Sequence, residues 1–160
     1  MKLKAGGVWI DYEYKKEYQD SSQKGLRVFY SKKLDKESVD DIKKFINFLR
    51  KRYYFPLRCN IYIRKVKDFP SLDGIETTKG VFLFGDEQLK KFPKIYVACE
   101  ISSHWNVIDV YYSIVKLLTY YFQWYFFEDN RRNDKSLEYE ATKYAKYLVS
   151  EYLNNNLLNL

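Results

Sequence analysis

With 160 residues, 46% of them hydrophobic, the chain is long enough for one well-buried core and too short for two ordinary domains, so residues 1–160 read as a single domain. A net charge of +7 favours acidic partners, although the basic residues are spread along the chain and part of that charge is ordinary solubilising charge. Aromatics reach 19% with 17 Tyr, enough rings for both a core and a contact surface, and the opening MKLKAGGVWI lacks the apolar run of a signal peptide, so a cytoplasmic, reducing setting is expected.

Val8 to Tyr14 alternates apolar and polar residues as an edge strand does, and Leu26 to Tyr30 reads as a second strand pairing with it in a hairpin across the polar loop Gln19 to Gly25. An amphipathic helix follows. Asp35 can cap it, Val39, Ile42, Phe45, Ile46 and Leu49 share one face, and Pro56 predicts a stop near Tyr54. Its outer face is basic: Lys43, Lys44, Arg50, Lys51 and Arg52, with Arg58 and Arg64 beyond it, are candidates for one continuous patch that binds nucleic acid, against a plain solvated face.

Three strands are predicted next, Cys59 to Lys65, Gly80 to Gly85 and Lys94 to Cys99. Cys59 and Cys99 fall in phase with core residues, which predicts buried free thiols. Asp68 to Lys79 carries Pro70 and Asp73-Gly74, turn chemistry for a hairpin tip or a functional loop, and Asp86 to Pro93 is a second polar loop with Lys90 and Lys91.

Trp105 to Phe127 is the most apolar and aromatic stretch and predicts a long buried helix, capped by Ser102 or Ser103 with His104 at its first turn. A membrane span is excluded by Asp109 and by Lys116 at the middle, the latter costing roughly 2.5–3.5 kcal/mol on insertion scales. Ser113, Lys116, Tyr120 and Gln123 recur at helical spacing as one polar stripe, which predicts that the helix lines a cleft. After the polar connection EDNRRNDKS, Leu137 to Leu153 forms a C-terminal helix, and the tail NNNLLNL is frayed or lightly docked. The expectation is an α+β domain: a small mixed sheet packed by an N-terminal helix, a long central buried helix and a C-terminal helix.

The stretch Lys116-Leu117-Leu118-Thr119-Tyr120-Tyr121-Phe122-Gln123-Trp124 resembles the motif helix of minimal zincin-like domains, the small bacterial and phage type in which HExxH is closely followed by an aromatic residue, Gln and Trp. Ile95 to Ala98 is similar to the strand before that helix, and Glu138 to Ala145 to the helix bearing the third metal ligand; the likeness spans about residues 26 to 153. Where the family has its two His, this chain has Lys116 and Tyr120; where it has the catalytic Glu, it has Leu117. Glu138 is the remaining ligand-like residue, chosen over Glu140 because it shares a helical face with Ala141 and Ala145.

An ammonium repels a cation and a Leu accepts no proton, so the resemblance implies a scaffold without metal or other cofactor and without the hydrolase activity. Lys116 is expected either to form a buried pair with Glu138 beside the Tyr120 hydroxyl or to extend to solvent. The family's edge strand takes substrate by strand addition, which marks Val81, Phe82, Leu83 and Phe84 as a contact surface. A protein partner is the leading expectation, with the chain acting as a phage or mobile-element inhibitor of a host defence protein or nuclease. Nucleic-acid binding by the basic first helix and an enzyme with a repurposed cleft are the alternatives.

Overall fold

Asp35 opens the clearest element: its carboxylate accepts the Ser38 N–H at 3.0 Å, a bond that holds the carboxyl below its ordinary range and starts helix α1 (Lys36–Arg52) where expected. Ile42, Phe45, Ile46 and Leu49 of α1 are buried, and the chain turns extended at Tyr53, before Pro56. The computed structural model describes residues 9, 21–71, 73–86, 89, 91–126 and 134–158. Among them the fold is α+β, with three helices and a mixed four-stranded sheet.

The sheet joins β1 (Leu26–Tyr30), β2 (Cys59–Arg64), β6 (Lys94–Ala98) and β5 (Gly80–Leu83) in the order β1-β2-β6-β5. The first three run parallel, and β5 is antiparallel to β6 at the edge. Leu26 to Tyr30 pairs in parallel with β2 on one edge, and α1 makes the crossover that a parallel pair requires. Apart from Trp9, the strand expected at Val8 to Tyr14 lies outside the described residues, as do Lys90, most of EDNRRNDKS and the end of the tail.

Alternation in β2 buries Cys59, Ile61 and Ile63 on one face, where they join Ile95 and Val97 of β6 and the apolar face of α1. Both thiols are free and buried, at opposite ends of β2, and burial pushes the Cys99 thiol up to about 11 with a further contribution from the charge of Asp35. The excursion between β2 and β5 holds a short hairpin of β3 (Phe69–Pro70) and β4 (Thr77–Thr78). Its turn has Gly74 at φ +72°, and the Asp73 carboxylate accepts the Ile75 N–H at 2.9 Å.

Helix α2 (Val107–Phe126) starts later than expected. Its cap is Asn106, whose side-chain oxygen accepts the Ile108 and Asp109 N–H groups while Asp109 accepts the Asn106 N–H at 2.9 Å. Ser102 instead bridges to Trp105 in a turn that leaves His104 exposed outside the helix. Helix α3 (Asp134–Leu158) packs along α2 and carries the first residues of the tail as helix, so that segment is not frayed.

Trp9 is fully buried: its indole N–H donates to the Thr119 hydroxyl at 2.8 Å, and Tyr53, Phe55 and Phe122 meet its ring edge-on. No helix among the described residues is long and apolar enough to cross a membrane.

Candidate functional site

Lys116 and Gln123 of the polar stripe of α2 meet α3. Lys116 reaches Glu138 at 3.5 Å, and the Gln123 amide donates to Glu140 at 2.8 Å and to the Leu137 carbonyl at 3.0 Å. Tyr120 is half-buried between these contacts, its phenol pushed up to about 12 by burial and then by the charge of Glu138. Ser113, one turn earlier, is half-buried. Glu138 and Glu140, two residues apart on α3, thus both reach the stripe of α2, contrary to the expectation that Glu140 points elsewhere.

The Lys116–Glu138 pair is formed, but not in the interior: the side chains are 37% and 63% exposed. It is a surface pair, and the stabilisation of a buried one does not apply to it.

Leu117 turns the other way, into the core and against β5. A Cβ added to Gly80 would stand 2.5 Å from the Leu117 side chain, so the edge strand lies directly on the position where the zincin-like pattern has its general base. This set does not fit a zinc ion. Lys116 presents an ammonium, Leu117 an alkyl group, and Tyr120 a phenol that stays protonated. Among the described residues no three His, Cys, Asp or Glu side chains stand close enough to hold a metal ion.

The edge strand has the second notable arrangement. The Ala98 N–H donates to the Lys79 carbonyl at 2.8 Å, which makes Lys79, Val81 and Leu83 the residues bonded to β6 and turns the backbone of Gly80 and Phe82 to the outer edge, where the Gly80 carbonyl accepts from the Thr78 hydroxyl at 3.1 Å. Phe82 packs inward on Trp124, whereas Phe84 stacks on Trp124 with its ring 75% exposed. Leu83 and Leu89 are also exposed, and Val81 is half-buried. Trp124 and Gly80 were not singled out in the sequence as contact residues; their part depends on which strand lies beside α2.

The basic residues do not form one patch. On α1, Arg50 is tied to the Leu26 carbonyl at 2.7 Å, Arg52 forms a salt bridge with Glu151, Lys43 sits over the Tyr30 ring, and Lys44 and Lys51 are exposed. Arg58 and Arg64 belong to the opposite face of the sheet, where Arg58 donates to Asn60 at 2.9 Å and Arg64 lies over Tyr62. The sheet itself separates the two groups. Comparison with family models, with curated proteins and with solved structures returns no match for this chain.

Proposed function

We propose that the chain is a catalytically inactive, zincin-like protein that acts by binding another protein, as a phage or mobile-element inhibitor of a host defence protein or nuclease. Support comes first from Leu117, which fills the space beside the edge strand with an alkyl group that can neither activate water nor hold a metal. The antiparallel edge strand β5 beside α2, followed by α3 with Glu138 opposite Lys116, agrees with the order of elements that the resemblance implies.

The contact surface is the outer edge of β5 at Phe82 together with the exposed ring of Phe84. Among the described residues no strand pairs with that edge, and beside the exposed Phe84 ring it is a template for strand addition by a partner, with Phe84 as its anchor. The inhibitory role and the mobile source rest on the small, basic, Tyr-rich character of the chain.

The test couples metal analysis with affinity capture from a host extract, using the wild-type chain and Phe84→Glu. The expected result is less than stoichiometric zinc and a single protein retained by the wild type but lost with Phe84→Glu. One zinc per chain with peptide hydrolysis, or capture that does not distinguish the two chains, would overturn the proposal.

A further inference from the structure

The core occupies one face of the sheet, and alternation turns Phe29, Tyr62 and Tyr96 to the other. These rings stack on one another across three strands, Phe29 on Tyr62 at 5.1 Å and 17°, Tyr62 on Tyr96 at 4.9 Å and 15°. Both flat faces of Tyr62 and one face each of Phe29 and Tyr96 are therefore taken up within the column. At the Tyr96 end Phe69 closes the column edge-on. At the other end the ring of Phe29 is 44% exposed, and among the described residues β1 is the outermost strand and Tyr62 is the one ring neighbour of Phe29.

Cations surround the column. Arg27, Arg64 and Lys94 project from the same face, and none of the four strands contains an Asp or Glu. Arg64 and Lys94 are exposed, and Arg27 is braced by the carbonyls of Leu26 and Ser21 with further donors to spare.

We propose that this sheet face binds single-stranded nucleic acid, with one unpaired base stacking on the outer face of Phe29 as a fourth ring of the column and with Arg27, Arg64 and Lys94 meeting backbone phosphates. Acidic polypeptide would answer the cations but leave the Phe29 face bare. A duplex keeps its bases stacked on one another and offers none to the column. The surface is distinct from the β5 edge, so this proposal stands or falls independently of the protein-binding one.

Fluorescence anisotropy of the full chain with a labelled oligothymidylate of about 15 nucleotides tests it. Binding should weaken as salt rises. Phe29→Ala should weaken it by about 10-fold with the salt slope unchanged, and Phe29→Trp, which restores a ring, should preserve it. Arg64→Ala should lower the slope of log K against log salt by about 0.7, the value for one phosphate contact on a single strand. Absence of salt-dependent binding, binding indifferent to Phe29→Ala, or equal competition by polyglutamate or by duplex DNA would overturn the proposal.

Discussion

Lys116 and Glu138 show how exposure decides the worth of a pair that sequence spacing alone can only suggest. Their 3.5 Å contact lies where both side chains are well solvated, so solvent screening and side-chain entropy offset most of the attraction. Glu138→Ala is expected to cost at most about 1 kcal/mol in chemical denaturation, the range of surface pairs. A loss of about 3 kcal/mol or more would show instead that the pair is desolvated. The stripe itself was legible, because Lys116, Tyr120 and Gln123 recur at helical spacing. Its partners were not: whether Glu138, Glu140 or both meet it depends on how α2 and α3 cross, which no single-helix periodicity encodes.

At the scale of elements, α2 and β5 meet closely at Gly80. The Gly80 backbone lies against the Leu117 side chain, with the Tyr96 carbonyl oxygen 3.3 Å from the place of an added Cβ. Gly80→Ala should therefore destabilise by roughly 1–3 kcal/mol, the cost of overpacking. Combined with Leu117→Ala, the loss should fall short of the sum of the two single losses, because the smaller residue makes room for the new methyl. A thermal or chemical denaturation cycle measures this, and strict additivity would show that the two residues do not share the space. Helix α1 and the parallel strand β2 were readable in outline, since 3.6-residue and two-residue periods are unambiguous there. The parallel pairing of β1 with β2 was not, because five residues of a strand look the same in a parallel and in an antiparallel ladder.

Across the whole molecule, several buried acids share one direction of shift. Tyr30 and Tyr120 are pushed to about 12 from an ordinary value of 10.0, and Cys99 to about 11 from 9.0, with burial the largest cause in each case. The folded state holds these protons more tightly than the unfolded chain, so the stability they contribute is complete below about pH 9 and is lost as pH rises toward 11 to 12. The melting temperature should accordingly fall across that alkaline window. Tyr120→Phe, which removes one of the titrating groups, should fall less steeply; an equal decline in both chains would remove Tyr120 from the account.

The hydrogen bond between Trp9 and Thr119 spans 110 residues. Its socket is built from Tyr53, Phe55 and Phe122, so it is incomplete until most of α2 has left the ribosome. A ring made 110 residues before its hydrogen-bond partner must therefore wait, apolar and uncovered, until that partner is made. Trp9 is in this sense a latch: it closes on the helix around which the core is assembled only after that helix exists.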